Sequence, residues 1–355
     1  MRRALAALAA VLMVIAAVLI RSRLEDRERA TGGTSDPNEK PTLVCVSELE
    51  RICKDLAART SDISVRTEDA ATTLGTLSSP DFEPRTAKID AWLAPRPLPG
   101  MVNDRRVRNG LSPSVDEPDQ VLARTPIVIA IWDDRLEVLN KHCPSNTVAW
   151  RCIGDVSGQP WSSIGGPETW GDVRSALPGA QTASGMLAMA EAAASFFGRS
   201  DYASNDFADP AFVRWFEQLA RTSEDTVGRS GVSPVMEMLS KGPAAVQIAA
   251  ATEAEAGPAI ASSARKDRLR LLYPSPLVTA DLVMAPVIGS AAAPRIAKLL
   301  ESKDVPAALA QSGWRVPGQT SPSGIRTSEL LPDSNGAPRP GVLLALRDNW
   351  LEATR

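Results

Sequence analysis

The stretch GAQTASG, residues 179–185, sets small polar residues directly ahead of an apolar, Ala-rich run with helical spacing. Gln181, Thr182 and Ser184 offer hydrogen-bonding side chains, and Gly185 lets a neighbour approach the backbone closely. At a helix start the free N–H groups and the helix dipole attract an anion or a carboxylate. The same residues also suit a simple N-cap, with Gly185 standing where a side chain would clash. The two readings are compatible, and the spacing leaves both open. Catalytic patterns are missing. The single histidine, His142, has no Ser or Asp partner in a nucleophile motif, and GPETW and PSPLV read as turns. No phosphate loop, dinucleotide-binding glycine loop or H-E-x-x-H occurs, and the carboxylates are too scattered to pick out an acid/base pair. The expectation is a protein that is not an enzyme and uses no cofactor and no metal.

Four cysteines are present: Cys45, Cys53, Cys143 and Cys152. They allow three pairings, and closeness in sequence favours Cys45–Cys53 with Cys143–Cys152. Zinc is disfavoured by the spacings, since His142 adjoins only one cysteine. Arg2 and Arg3 precede the apolar run 4–20, and RSRLEDRER follows it. This run exceeds the usual signal-peptide core and is barely long enough to span a bilayer. No small-x-small cleavage site and no lipid-accepting Cys follows, so residues 1–23 are read as a signal anchor, a transmembrane helix, with a cleaved signal peptide as the alternative. Disulfides after an export signal fit an oxidising compartment. Residues 24–40, rich in Gly, Pro and charge, read as a flexible polar tether.

The net charge of −3, from 39 basic and 42 acidic residues, gives no basic face for nucleic acid. From Pro41 onward, strands alternate with helices. TLVCV is a short buried strand, and SELERICKDLAAR a helix with Ser47 as its N-cap. DISVRTED and AKIDAWLAP read as strands and 98–120 as a polar loop. ARTPIVIAIW, nearly continuous in apolar β-formers, is the strongest strand signal. RLEVLNK follows as a helix, 143–170 reads as loop, and 185–198 as the Ala-rich helix. AAVQIAAAT, RLRLLYP and LVMAPVIG read as later strands, 317–341 as a Pro/Ser-rich loop, and VLLALRDNWLEAT as a closing helix. The alternation implies an α/β fold with mainly parallel sheets.

The order of these pieces resembles the type 2 periplasmic solute-binding protein family, in its actinobacterial, membrane-anchored extracellular form. VCVSELERICKDLA, AWLAP, ARTPIVIAIW, QTASGMLAMAEAAASFFG, LLYPSPLVTADLVMAPV and AAPRIAKLLESKDVPAALAQSGWR carry the resemblance. It implies a two-lobed "Venus flytrap" with a central cleft and two crossing hinge strands. Lobe one would hold 41–122 and 283–355, and lobe two 123–282. The missing lipid-acceptor Cys departs from transport-linked relatives, which leaves sensing or envelope work open beside transport.

In such a fold the first turns of helices from both lobes face the cleft. The resemblance therefore implies Ser47, Glu48, Trp92, Gln181, Thr182, Ser184 and Tyr273 as cleft candidates. Each has a structural alternative. Glu48 is an ordinary first-turn acid, Trp92 either stacks on a ligand or packs in the core, and Tyr273 either reaches a ligand or braces the hinge. Asp281 is expected to cap or satisfy backbone groups at the hinge. A cleft Glu48 would repel an inorganic anion and suit an amine or sugar hydroxyls. The expected function is a cell-membrane, single-pass extracellular binding protein closing on a small polar solute. The alternative is an interaction or envelope-assembly module with a degenerate cleft and a membrane or envelope protein partner.

Overall fold

The structure is a computed structural model that describes residues 40–227, 233–302 and 304–355. The expected anchor, 1–23, and the tether up to residue 39 lie outside the described residues. Among the described residues no helix is long and apolar enough to cross a membrane.

Strand β1 (Thr42–Val46) is wholly buried and leads through a 3-10 turn, Ser47–Leu49, into α1 (Glu50–Arg59). Ser47 thus lies inside the turn and makes no side-chain cap, contrary to expectation. β2 (Ser64–Glu68) is followed by α2 (Ala70–Ser78), the short α3 (Pro84–Ala87) and β3 (Ala91–Arg96). Residues 98–108, read from sequence as loop, form helix α4 (Leu98–Arg108). Its apolar face is only Leu98, Met101 and Val102, and the Arg-rich remainder hid the period. β4 (Ala123–Trp132) and α5 (Asp133–His142) follow as expected, and the supposed loop 143–170 contains α6 (Trp150–Val156). After β5 (Ser175–Ala176) come α7 (Ala183–Phe197), α8 (Pro210–Val227), α9 (Pro234–Lys241), β6 (Ile248–Thr252), α10 (Glu253–Ala261), β7 (Leu269–Leu272) and β8 (Thr279–Pro286). Helices α11 (Ala293–Leu300), α12 (Asp304–Gln311) and α13 (Pro340–Ala353) complete the order, with a long strap between the last two.

The strands form one sheet in the order β2-β1-β3-β8-β4-β6-β5, with β7 also on β4. β1 pairs parallel with β2 and β3, and β5 with β6, while the pairs of β3 and β4 with β8 and of β4 with β6 and β7 are antiparallel. The expected mainly parallel sheet is therefore corrected to a mixed one. The chain crosses into the second half of the sheet on β4 and returns on β8, so these two strands run in opposite directions. β4 uses Ala123–Pro126 to pair with Thr279–Leu282 of β8, then Ile127–Ile131 to pair with β6.

The two-residue period of β4 sorts its side chains between two cores. Ile127, Ile129 and Ile131 join the large core that also holds β1, β3 and α7. Val128, Ala130 and Trp132 join a smaller core with Val235, Met238 and Ile260. Helix α7 is buried almost throughout, and its alanines let neighbouring elements close on it. Thr182 caps it by accepting from Gly185 N (3.0 Å), and Gly198 ends it at φ 66°. Gly185 is demanded by packing, because a Cβ there would stand 2.1 Å from Gly179 O. Both expected disulfides are present, Cys45–Cys53 and Cys143–Cys152.

An acidic side chain lies within the large core. Glu191, on α7, is fully buried, and its Oε1 accepts from Val278 N (3.3 Å) just before β8. Its Oε2 and the neighbouring Trp150 Nε1 are buried without a partner. Burial holds this carboxyl well above its ordinary value, against the smaller effect of the Val278 donor.

Two measurements check this packing. Gly185→Ala must displace backbone, so it should lower stability by about 1–3 kcal/mol, read as a fall of several degrees in Tm by circular dichroism. An unchanged Tm would show that the Gly179 carbonyl yields freely. Glu191 has its folded-state pKa raised, so its stabilising contribution is full below the ordinary value of 4.5 and is lost as pH rises above it. Glu191→Gln should therefore raise Tm more at pH 8 than at pH 5, and an equal gain at both would refute the buried neutral acid.

Candidate functional site

The start of α7 meets the turn after β1, so side chains from the two halves of the sheet come together. Glu48 Oε1 accepts from Ser184 N (2.7 Å) and Ser184 Oγ (2.9 Å). Its Oε2 accepts from Ser47 Oγ (3.4 Å). Ser184 is 6% exposed, and its hydroxyl also lies 3.3 Å from Thr182 Oγ1. The orphan N–H at the head of α7 is thus met by a carboxylate from across the sheet, the partner that a helix N-terminus favours. A second contact runs the other way, with Ala71 N, at the head of α2, donating to Gln181 O (2.9 Å). Arg347 of α13 donates to Ala180 O and to Gln181 Oε1, each at 2.9 Å.

Glu255, in the first turn of α10, adds a second acid. Burial raises its carboxyl above the ordinary value, a Ser233 hydrogen bond pulls it back, and the Glu48 charge raises it further. Glu48 and Ser184 thus form one hydrogen-bonded contact, and the Glu255 carboxyl lies within range of the Glu48 charge. Among the described residues no group of three or more His, Cys, Asp or Glu side chains could hold a metal ion.

Behind the cluster lies the crossing of β4 and β8. Arg124 Nε donates to Asp281 Oδ1 (2.8 Å), and Thr279 Oγ1 donates to the same oxygen (2.6 Å). Asp281 therefore holds an arginine and a hydroxyl, a correction to its expected role with backbone groups. Arg124 and Arg315 exchange backbone hydrogen bonds of 2.9 and 2.8 Å. The Arg315 guanidinium grips fully buried Glu253 at 2.7 and 2.8 Å. Arg326 N, on the strap, donates to Glu253 as well (2.9 Å).

The sequence candidates divide accordingly. Ser47, Glu48, Gln181, Thr182 and Ser184 are brought together. Trp92 is not: it is 0% exposed on β3, paired between Val44 and Ala285, and its Nε1 has no partner. It is a core residue, because β3 is flanked by strands on both edges and covered on both faces. Tyr273 is half-buried and its hydroxyl donates to Glu253 (2.5 Å), so it braces the crossing. Burial and the Glu253 carboxylate push its phenol up. Sequence reasoning missed Glu255, Ser233, Ala71 and Arg347. Thr252 and Glu255 carry a readable sign, the T-x-x-E spacing of a helix start, and Glu255 N does donate to Thr252 Oγ1 (3.3 Å).

No family model matches the chain, and no curated protein does. Solved structures do. The chain is similar to a periplasmic thiamin binding protein, at 14% identity and a TM-score of 0.55, over 90% of this chain and 98% of that one. It is similar to the periplasmic binding protein AfuA of Actinobacillus pleuropneumoniae with fructose-6-phosphate bound, at 11% identity and 0.55, over 89% and 98%. Iron-bound HitA of Pseudomonas aeruginosa matches at 13% identity and 0.53, over 88% and 98%. The chain has the two-lobed α/β fold of the periplasmic binding proteins.

Proposed function

We propose that the chain is an exported, non-enzymatic solute-binding protein that closes two lobes over a small polar ligand. Lobe one comprises 41–122 and 283–355, lobe two 123–282, and β4 and β8 form the hinge between them. Residues 1–23 tether it as a single-pass membrane anchor, with 24–40 as the spacer and the domain outside the cell. Two disulfides fit that oxidising location.

The observation that carries this reading is the meeting of Glu48 with Ser184, where one lobe's carboxylate reaches the helix start of the other. Whatever binds between the lobes must face Glu48, Glu255 and the hydroxyls of Ser47, Ser184 and Ser233. The Glu48 carboxylate repels a bare inorganic anion, whereas an amine or a polyhydroxylated solute matches its charge and the acceptors around it. A second reading takes the same contact together with the bond from Ala71 N to Gln181 O. The heads of α2 and α7 are satisfied by the chain's own Gln181 and Glu48, as expected if the cleft is degenerate and the surface serves an envelope partner.

Native mass spectrometry of the chain purified from its own host separates these readings. A discrete added mass that disappears on unfolding is the expected result. A bare mass, repeated after incubation with host extract, would transfer the function to the interaction module. Glu48→Gln should weaken the bound solute about tenfold or more, the order of one charge-assisted hydrogen bond. Thr182→Ala should instead cost about 1 kcal/mol of stability as a lost cap. Unchanged affinity in the Glu48 variant would remove that residue from the binding surface.

A further inference from the structure

A cavity of ≈ 250 Å³ is lined by none of the residues of the Glu48–Ser184 contact. It lies between α1 and the α11–α12 pair. Ile52 and Leu56 of α1, Leu300 of α11, and Val305 and Leu309 of α12 form the walls, and Leu93 of β3 forms the floor. Native interiors hold few voids larger than a water molecule. An apolar cavity of about 150 Å³ is already large enough to stay dry and take up benzene. This one is larger, and most of its lining is apolar.

The rim decides which apolar molecule fits. Asp55 and Asp304 supply acceptors, and Arg59 and Ser302 supply donors. Thr60 Oγ1 accepts from Asp62 N (3.1 Å), which leaves its own O–H to donate. A hydroxyl both donates and accepts, so it matches such a rim. Among the described residues of the rim, a carboxylate head would face two acids across a single guanidinium.

We propose that this cavity is a second binding site, for a neutral amphiphile with a hydrocarbon body and a hydroxyl head. The Cys53 half of the Cys45–Cys53 disulfide lies in the cavity wall, while Cys143–Cys152 lies elsewhere. An occupant therefore shields one disulfide and leaves the other as an internal control.

The test is a calorimetric titration of the full chain with 1-octanol and, separately, with octanoate. Saturable binding of octanol is expected, with octanoate at least about tenfold weaker because of the charge at the rim. Ala308→Phe and Leu299→Phe each fill part of the cavity, and whichever variant retains the native circular dichroism spectrum should lose the octanol signal. The difference between native and variant isolates this site from apolar binding elsewhere in the chain. On the native chain, octanol should slow reduction of Cys45–Cys53 by a phosphine and leave Cys143–Cys152 unchanged, counted by mass after thiol labelling. The proposal is overturned if octanol fails to saturate, if its binding persists in a folded filled variant, or if both disulfides respond alike. Equal binding of octanoate would overturn the assignment of the hydroxyl head. None of these readouts involves the cleft.

Discussion

The four-residue ladder between Ala123–Pro126 and Thr279–Leu282 is the constraint on which the rest of the molecule hangs. On one side of it β8 continues against β3, and on the other β4 continues against β6 and β7. Arg124 and Asp281 are register partners in this ladder and also bridge by side chain. The pair is largely removed from water, so much of its Coulomb attraction is offset by desolvation. What it supplies is geometry, since a change to either residue strands the other's charge. Arg315 and Glu253 repeat the device one layer away and tie the strap to the head of α10.

The head of α7 shows how one local feature acquires its meaning from the opposite lobe. Its dipole and free N–H groups favour a negative group, and in isolation they describe an anion site. Glu48 already supplies that group, so the local electrostatics reverse sign for anything arriving from solvent. The Glu255 carboxyl feels the same Glu48 charge, although burial is what chiefly raises it. The neighbours with fructose-6-phosphate or iron bound share the fold, which by itself leaves the chemistry of this helix start to the side chains on it.

Features specified by nearby residues were legible in the sequence. The two short-range disulfides, the doubly buried β4 and the Thr182 cap each depend on a stretch of ten residues or so. Helices α2 and α4 escaped because their apolar faces are narrow and interrupted, by threonines in one and by arginines in the other. Trp92 shows a different limit. Whether a strand is central or at an edge is decided by what pairs with it, and β8, which covers one edge of β3, lies far along the chain. Glu255 and Ser233 escaped for the same reason, since their significance depends on Glu48 approaching from the other lobe.

The disulfides close loops with sequence separations of 8 and 9. By chain entropy each contributes about 2.5 kcal/mol, through restriction of the unfolded chain. Together that is a large fraction of the total stability of an ordinary domain. The first joins β1 to α1, and the second joins the residue after α5 to α6, so each is a local covalent clamp. A chain held under reducing conditions lacks both and stays easier to unfold, and therefore easier to thread through a narrow channel. Oxidation then locks the fold, and stability becomes a property of the compartment as well as of the sequence.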